Sequence, residues 1–331
     1  MLNQKLKLSE KIFDKKIDQV PTRNGYGEGV VEAGEKNPNI VVLCADLTDS
    51  TRSILFKEKF PERFIEIGVA EQALATIGAG LALGGKIPFI SSYAAFSPGR
   101  NWEQIATTAA INDLPVKVIG AHAGVSVGPD GATHQMCEDI ALMRVMPNMI
   151  VVVPGDYEQT KKATIEIAKN AKPSYLRLAR EKTPVFTTNN TPFEIGKAQV
   201  LWESKDPQVA LIGCGPLVYE ALLAAKELSK SKIECVVINS HTIKPLDEQT
   251  IIRAAKSAGC VVTVEEHQTI GGLGGAVAET LARNFPVPME FIGMQNTFGQ
   301  SGDPDELLEF YHMKSKDIVE AAKRAIARKN S

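Results

Sequence analysis

The stretch FIEIGVAEQALATIGAGLALGGKIPFISSY, residues 64–93, contains a strand, a helix and a second strand in succession. The β-branched runs FIEIG (64–68) and IPFISS (87–92) have the composition of buried strands, and small and apolar residues fill the helix between them. Strand and helix patterns alternate in the same way along the rest of the chain. This alternation is typical of parallel sheets covered by helices, so the sequence predicts an α/β fold.

One interruption of this alternation divides the chain into two units. The stretch TPVFTTNNTPFEIGK (183–197) is rich in Thr, Asn and Pro and has no periodicity, which indicates a linker. It separates two predicted domains, 21–182 and 198–331, each with three α/β/α layers and a mainly parallel sheet. The Lys-rich residues 1–20 are expected to form an arm or a short helix that packs on a neighbour. The other predicted strands are 40–44, 116–121, 149–153, 174–179, 209–215, 234–240, 260–266 and 289–294, and the last helix is predicted at 314–329.

Length, charge and cysteine content exclude several classes of function. The 331 residues fit two domains of roughly 150 residues each. The 37 basic and 39 acidic residues give a net charge of −2, which supplies no strong field for binding nucleic acid or an anionic membrane. No apolar run reaches the ~18 residues of a membrane span, and we expect a cytoplasmic protein. The five cysteines lack CxxC spacing and are expected to be reduced packing residues.

A single acid, Glu71, begins the helix of the opening stretch. Helical periodicity predicts an apolar face that contains Ala70, Leu74, Ile77 and Leu81. Glu71 is one residue away from this face, so we expect it to be partly buried. An acid in the first turn can simply complement the helix dipole. A carboxyl removed from water instead has a raised pKa and can hold or pass a proton near neutrality, which makes Glu71 a general acid/base candidate.

Two aromatic residues follow the second strand of the opening stretch. Tyr93 and Phe96 lie at its carboxyl end, where ligand crevices form in parallel sheets. They could clamp a flat ring, or they could fill the core between strand and helix. Arg100 lies on the following helix, where an ordinary solvated face explains it equally well.

The densest group of polar residues is the loop GAHAGVSVGPDGATHQ, residues 120–135. Glycine allows positive φ and close backbone approach, so this loop can fold over a ligand and present His122, Asp130 and His134 together. A Gly-rich turn needs no ligand, but sixteen residues without regular structure are long for a connection in such folds. We therefore favour a functional loop.

Neither a metal site nor a strong nucleotide site is predicted. The histidine-containing loop has no third ligand at metal spacing, so metal ligands are not expected in this chain. The segment GGLGG (271–275) begins a helix, and its amides could hold an anion. Because it matches no complete phosphate-binding motif, tight packing of helix on strand is the favoured explanation.

Five segments occur in order along the chain: PTRNGYGE (21–28), CADLTDST (44–51), FIEIGVAEQ (64–72), PFISSYAAFSPGR (88–100) and AHAGVSVGPDGATHQ (121–135). Together they resemble the pyrimidine-binding and C-terminal domains of transketolase, and the resemblance spans roughly residues 20–325. The pattern GxDGxTHQ, here GPDGATHQ, is the most specific of them. The resemblance implies a thiamine-diphosphate pyrimidine-binding fold followed by a transketolase C-terminal-like fold.

The resemblance also implies roles for individual residues. In the family, the glutamate matched by Glu71 binds the pyrimidine ring of thiamine diphosphate and promotes the imino form of its amino group. The other implied cofactor contacts are Asp46, Leu47, Tyr93, Phe96 and Arg100. The implied sugar-phosphate contacts are Arg23, Ser50, His122, Asp130 and Arg180, and His134 is expected to contact the donor and assist proton transfer. A further family aromatic would fall near Gly99, so a reduced aromatic box is expected.

The family's N-terminal domain, with its GDG…N motif for the metal and the diphosphate, has no counterpart in these residues. We therefore expect a split transketolase, which transfers a two-carbon ketol unit between sugar phosphates. This chain would be the smaller, C-terminal subunit, and a separate N-terminal subunit would bind Mg²⁺ or Ca²⁺ and the diphosphate. A homodimer core within a heterotetramer with two shared sites is expected, and the chain alone should be inactive.

Three alternatives remain open at this point. The β subunit of a thiamine-dependent 2-oxo-acid dehydrogenase has nearly this length, although the loop at 120–135 argues against it. Half of a 1-deoxyxylulose-5-phosphate synthase would share the DGATH loop, and His122 favours transketolase modestly. A non-catalytic assembly or regulatory partner would bind a nucleotide at 271–275.

Overall fold

The strands and helices of the structure follow the alternation predicted from the sequence. A computed structural model describes residues 1–330. Its strands are β1 (Gln19–Pro21), β2 (Ile40–Cys44), β3 (Phe64–Glu66), β4 (Ile87–Tyr93), β5 (Lys117–Ala121), β6 (Ile150–Val152), β7 (Ser174–Arg177), β8 (Lys182–Pro184), β9 (Gln199–Trp202), β10 (Val209–Gly213), β11 (Cys235–Asn239), β12 (Thr242–Lys244), β13 (Val261–Gln268) and β14 (Met289–Met294). Its α-helices are α1 (Thr22–Lys36), α2 (Ile54–Lys59), α3 (Glu71–Leu83), α4 (Trp102–Gln104), α5 (Asp139–Val145), α6 (Tyr157–Lys169), α7 (Val218–Lys230), α8 (Glu248–Ala258), α9 (Leu273–Asn284), α10 (Pro304–Phe310) and α11 (Ser315–Asn330).

The first domain is built on a seven-stranded sheet with the order β12-β6-β7-β5-β4-β2-β3. Neighbouring strands are parallel except β12, which runs antiparallel to β6. In the registers, Cys44 pairs with Ser91, and Tyr93 pairs with Ala121. The carboxyl ends of β2, β4 and β5 therefore meet along one side of the sheet, which we call the carboxyl edge. In parallel sheets this is the side on which ligands bind.

The second domain contains a five-stranded sheet with the order β14-β13-β10-β11-β9. Only β9 is antiparallel to its neighbour. Its helices α7 and α11 pack on one face, and α8 and α9 pack near the other. The predicted pair of α/β/α domains with mainly parallel sheets is confirmed.

Alternate residues of each strand enter separate core layers, because successive side chains point to opposite faces of a sheet. In β2, Val41 and Leu43 pack in a cluster with residues of α3 and α5. Ile40 and Val42 pack on the other face, in a cluster with residues of α1 and α6. The first of these clusters also contains Ile212 of β10, so one apolar layer continues from the first domain into the second.

Two segments of the chain pack with the domain to which they do not belong by sequence. Strand β12 follows the linker in sequence but extends the first sheet, with Thr242 paired to Val152. At the other end of the chain, Ile12 is buried in the core of the second domain, and Leu2 forms a bridge to Trp202. The N-terminal residues thus lie against the second domain of the same chain. Strand β8, where the predicted linker begins, pairs with β1.

The five cysteines are all buried and free, as the sequence predicts. Their positions among apolar strand and helix residues make them packing residues. Within residues 1–330, no helix combines the length and the apolar character needed to cross a membrane.

Candidate active site at the carboxyl edge of the first sheet

Glu71 is the first residue of α3 and lies on the buried side of that helix, with 2% of its surface exposed. The predicted apolar face is wrong at Ile77, which is 41% exposed. A Cβ atom on Gly78 would lie 2.7 Å from Ile90 of the sheet, so the helix approaches the sheet too closely for large side chains. Small residues therefore face the sheet, and Ile77 turns away. The buried residues of α3 are Glu71, Leu74, Ala75, Gly78, Ala79 and Ala82.

The carboxylate of Glu71 is held from the segment that follows β4. Arg100 donates from Nη1 to Glu71 Oε2 at 2.8 Å. Asn101 donates from Nδ2 to the backbone oxygen of Glu71 at 2.8 Å and to Ser97 Oγ at 3.2 Å. The side chain of Arg100 is 51% exposed. The acid is thus buried, but its charged partner is open to solvent.

Aromatic and imidazole rings continue the site from Arg100 across the carboxyl edge. The Arg100 guanidinium lies 5.1 Å from the centre of the Phe96 ring. Phe96 and Tyr93 are stacked with centroids 6.0 Å apart, and Tyr93 stacks on His122 at 3.9 Å. The His134 ring meets Phe96 edge-on at 5.4 Å. Residues predicted separately from the sequence therefore form one continuous surface.

The reduced aromatic box expected at Gly99 has a backbone cause. A Cβ atom on Gly99 would lie 2.1 Å from the carbonyl oxygen of Ala95. Any side chain there would force the turn to rebuild, so an aromatic ring cannot be added without changing the local backbone.

A cationic crevice lies at the far end of this surface. Arg23 donates from Nη1 to the backbone oxygen of Ser50 at 2.9 Å and lies 3.3 Å from His122 Nε2. Burial lowers the pKa of His122 to about 3, and the charge of Arg23 acts in the same direction. The imidazole is therefore neutral near pH 7, and when Nε2 accepts from Arg23 its hydrogen is on Nδ1. In the described part of the chain, Arg23 Nε and His122 Nδ1 are buried without a hydrogen-bond partner.

Two further arginines complete the positive charge of this crevice. Arg180 donates from Nη1 to the backbone oxygen of Val127 at 2.6 Å. Arg52 was missed in the sequence, although it follows Ser50 in the same loop. Burial first, and then the charge of Arg52, lower the pKa of Arg23. Buried, unpartnered donors among several arginines suit an anion.

Asp46 and Leu47 follow β2 at the same edge, and a second acid fixes their loop. Asp46 is exposed and has a left-handed backbone, with φ of 57°. Glu66 accepts hydrogen bonds from the amides of Asp46 at 2.8 Å and Gly68 at 3.0 Å, and from Thr48 Oγ1 at 2.9 Å. Burial alone would raise the pKa of Glu66, but these donors lower it. No local pattern points to Glu66, because it lies in a strand and its partners come from two loops.

The second domain helps to hold the loop at 120–135. The amide of Ser126 donates to Glu266 Oε1 at 2.6 Å, and Gln135 Nε2 donates to the backbone oxygen of Gln300 at 3.0 Å. Asp130 is exposed at the tip. Sequence reasoning missed Glu266 and Gln300 because they are more than a hundred residues away along the chain.

Two amides of GGLGG are already occupied within the chain. Leu273 and Gly274 donate their backbone N–H groups to the two carboxylate oxygens of Glu265, each at 2.7 Å. A Cβ atom on Gly274 would lie 2.8 Å from Phe291 of β14, which supports the packing interpretation of this segment. These two amides are not free to bind a nucleotide. Among residues 1–330, no three His, Cys, Asp or Glu side chains are grouped so that they could hold a metal ion.

A buried carboxylate, a stacked aromatic pair and a cationic crevice along the carboxyl edge of a parallel sheet define a small-molecule site for a flat ring and an anion. Comparison with known families agrees with this class. A model of the transketolase pyrimidine-binding domain matches residues 18–185, and one of the transketolase C-terminal domain matches residues 196–318. The chain belongs to the transketolase family and contains these two of its domains.

Three similar proteins illustrate the relationship. A Methanocaldococcus jannaschii protein named "Putative transketolase C-terminal section" is 46% identical over 300 residues, covering 90% of this chain and 93% of that protein. The 6-deoxy-6-sulfo-D-fructose transketolase subunit SqwH of Clostridium sp. (strain MSTE9) is 39% identical over 318 residues, covering 96% and 98%. A solved structure described as "Split gene transketolase, inactive beta4 tetramer" superposes with a TM-score of 0.87 at 42% identity, covering 94% of this chain and 99% of that chain.

Proposed function

We propose that this chain is the C-terminal subunit of a thiamine-diphosphate-dependent transketolase that transfers a two-carbon ketol unit from a ketose phosphate to an aldose phosphate. A separate N-terminal subunit would bind Mg²⁺ or Ca²⁺ and the diphosphate of the cofactor. The observation that carries the proposal is the continuous surface from the carboxylate of Glu71 to the unpartnered donors of Arg23 and His122. It offers a place for a flat ring at one end and for an anion at the other.

The residues fit the pyrimidine end of thiamine diphosphate. Glu71 is a buried acceptor, and its partner Arg100 lies over the ring of Phe96, which stacks with Tyr93; this arrangement suits a flat heterocycle with ring nitrogens. Asp46 and Leu47, on the neighbouring loop of the same edge, would flank the thiazolium. The chemistry that the cofactor supplies when bound is stabilisation of a carbanion at a former carbonyl carbon.

The side chains of this chain would divide the remaining work between them. The carboxyl of Glu71 would hold a proton against the ring, in a position from which bulk water is excluded, and Arg100 would orient it. His134, edge-on to Phe96, would assist proton transfer near the reacting carbon. Donor hydroxyls would contact Asp130. The phosphate would bind Arg23, Ser50, His122 and Arg180.

Two observations support an assembly with more than one chain. Val69, Leu83 and Ile111 are large apolar residues that stay exposed on α3 and next to it. Exposed apolar groups of this kind often mark contact surfaces. The solved split-gene relative is described as a beta4 tetramer that is inactive. Both observations suit a homodimer core that needs a second type of subunit, and hence a heterotetramer.

Reconstitution tests the proposal. The chain is co-expressed with the N-terminal transketolase subunit of the same source, and ketol transfer from xylulose 5-phosphate to ribose 5-phosphate is measured. We expect activity from the complex with thiamine diphosphate and Mg²⁺ and none from the purified chain alone. Activity of the single chain would contradict the split arrangement. A complex that condenses pyruvate with glyceraldehyde 3-phosphate instead would support the deoxyxylulose-phosphate synthase alternative.

A sulfonated ketose is a second candidate donor. The Clostridium relative, whose name specifies 6-deoxy-6-sulfo-D-fructose, matches 96% of this chain. An arginine pair binds a sulfonate through the same oxygen geometry as a phosphate, but the sulfonate carries less charge. Comparing kcat/KM for 6-deoxy-6-sulfofructose and fructose 6-phosphate in the reconstituted complex decides between the two donors.

A further inference from the structure

The C-terminal domain contacts the backbone of the segment that carries three proposed substrate residues. We call residues 122–135 the substrate loop, because it contains His122, Asp130 and His134. We infer that Glu266 is a positioning residue of the active site, which holds the substrate loop in the shape that aligns these side chains. The inference rests on the proposed function of the loop and assigns a catalytic contribution to the C-terminal domain.

Glu266 holds the loop by its backbone. The side chain lies at the end of β13 and is 3% exposed. Its Oε1 accepts the amide hydrogen of Ser126 at 2.6 Å. Arg177 fixes the same junction, since its Nη2 donates to the backbone oxygens of Glu266 at 2.9 Å and Met136 at 3.2 Å. A buried carboxyl oxygen thus accepts a hydrogen bond from the loop four residues after His122.

The loop backbone is shaped to receive this carboxylate. Gly124 has φ of 95°, and a Cβ atom there would lie 2.3 Å from Glu266 Oε1. Glycine is therefore required both by the backbone conformation and by the contact. His122, two residues earlier, also has a left-handed backbone, with φ of 54°. Non-glycine residues in this region persist when their surroundings hold them, and they cluster at functional sites.

The far end of the loop is anchored to the same domain. Gln135 Nε2 donates to the backbone oxygens of Val125 at 2.9 Å and Gln300 at 3.0 Å. A Cβ atom on Gly131 would lie 2.6 Å from Ser301 Oγ. Asp130, next to Gly131, is exposed. The alignment of Asp130 therefore depends on contacts made by the loop residues on either side of it.

Loss of the carboxylate should make the substrate loop more mobile without unfolding the protein. Ser126 would keep a buried amide without an acceptor, and the backbone at Gly124 would be free to relax. Leaving a buried donor without its acceptor costs about fivefold to a hundredfold in an equilibrium constant. We expect this factor to be divided between substrate affinity and turnover, because His122 and His134 share the loop.

The test uses the reconstituted complex with Glu266→Ala, Glu266→Gln and the control Glu290→Gln. Glu290 is a carboxylate of the same sheet that pairs with Arg324 and Arg328, away from the loop. We measure KM and kcat for the sugar phosphates and hydrogen–deuterium exchange of residues 122–135. Glu266→Ala should lower kcat/KM by about tenfold or more and speed exchange of the loop while leaving β10 unchanged. Glu266→Gln, which keeps an acceptor oxygen, should recover most of both effects, and the control should match the wild type.

A second variant tests the same contact from the loop side. Gly124→Ala should reproduce the effects of Glu266→Ala. Gly85→Ala serves as its control, because Gly85 has a similar φ of 82° but no atom within 4 Å of its added Cβ. If Glu266→Ala fails to fold, Glu266→Gln and Gly124→Ala still carry the test.

Two outcomes overturn the inference. One is a Glu266→Ala complex that matches Glu290→Gln in both kinetics and exchange. The other is a loss of activity without any change in loop exchange. A wild-type complex that is inactive on every sugar phosphate would contradict the proposed function instead. Exchange of the loop, measured on the single chain, would then still decide whether Glu266 holds it.

Discussion

Glu71 and Glu265 are both deeply buried acids beside a helix N-terminus of a parallel α/β domain, yet their surroundings differ. They are 2% and 1% exposed, respectively. Glu265 gives both of its carboxylate oxygens to amides of its own domain. Glu71 pairs with Arg100, whose side chain is half exposed. Burial of an acid therefore does not by itself indicate catalysis; the direction from which its partners come is more informative.

The two domains also differ in the room that they leave for a ligand. A Cβ atom on Gly272 would lie 2.1 Å from Glu265 Oε2, so the second domain has no room for a ligand beside that carboxylate. In the first domain, Arg23 and His122 keep buried donor atoms without partners in the described residues. Glu265 is satisfied within its own domain, whereas Glu71 lies at one end of a surface whose other end keeps unpartnered donors.

The largest effect is expected at Glu71. Glu71→Gln in the reconstituted complex should reduce turnover by about a thousandfold or more, because a positioned acid/base group contributes about 10²–10⁴-fold. Folding and assembly should be unchanged, and Glu103→Gln, an exposed acid on α4, is the control. Steady-state kinetics measure the turnover, and sedimentation of the complex measures its assembly. Full activity in Glu71→Gln would favour the non-catalytic alternative and remove the contrast with Glu265.

A smaller effect is expected in the cationic crevice. Arg23→Ala should raise KM for phosphorylated donors by about tenfold to a hundredfold, because it removes charge-assisted hydrogen bonds. KM for an unphosphorylated ketose should change little. The exposed Arg253 provides the control variant Arg253→Ala. Because the pKa of His122 is about 3, its titration should not alter KM between pH 6 and 8. Equal rises in KM for both kinds of donor would contradict a phosphate site here.

Replacement of Glu265 should affect stability instead of activity. Glu265→Ala leaves two amides of α9 without their acceptor and should lower the free energy of unfolding by about 1–3 kcal/mol. Activity per folded molecule should be retained. Glu279→Gln on the same helix removes only a half-exposed ion pair with Arg144 and should have less effect. Denaturant unfolding measures the difference, and a loss of turnover without a loss of stability would refute the division of roles.

A pH-dependent effect on stability is expected at the opposite, amino-terminal edge of the first sheet. Lys117 is fully buried and donates to the backbone oxygens of Asn170 and Lys172. Burial lowers its pKa to about 7, so above that pH the unfolded chain binds more protons than the folded one. Stability should therefore rise with pH between 7 and 10, by at most about 1.4 kcal/mol per pH unit. Lys117→Met should remove this dependence of the free energy of unfolding on pH, as measured by denaturant titrations at several pH values. The same slope in the variant and the wild type would contradict the prediction.

Much of the fold was predictable from the sequence, and the errors in the prediction have physical causes. Strands such as Ile40–Cys44 and Met289–Met294 match their predicted bounds, because β-branched runs between turns are a local signal. The antiparallel strand Thr242–Lys244 was missed, since it pairs with a strand of the other domain. The apolar face of α3 was misassigned at Ile77 because close packing on the sheet selects small residues. Periodicity records hydrophobicity but not the distance between layers.

The candidate site, like the fold, was predictable only in part. Glu71, Tyr93, Phe96, His122 and His134 were predicted from three separate segments and lie together in the structure. Their roles in catalysis stay predictions. Supporting residues such as Glu66 and Glu266 carry no local signal, because each acts through a loop that only folding brings near.

The sequence by itself determined the α/β class, most of the strands and helices, the family and the residues offered to a ligand. These features depend on composition, spacing and motifs within short segments. Only the tertiary structure decided which buried acids are satisfied internally, which donors remain unpartnered and which domain supports the substrate loop. The contact between Ser126 and Glu266 joins residues 140 positions apart. Such a contact forms only when two folded domains pack together, and no local pattern encodes that geometry.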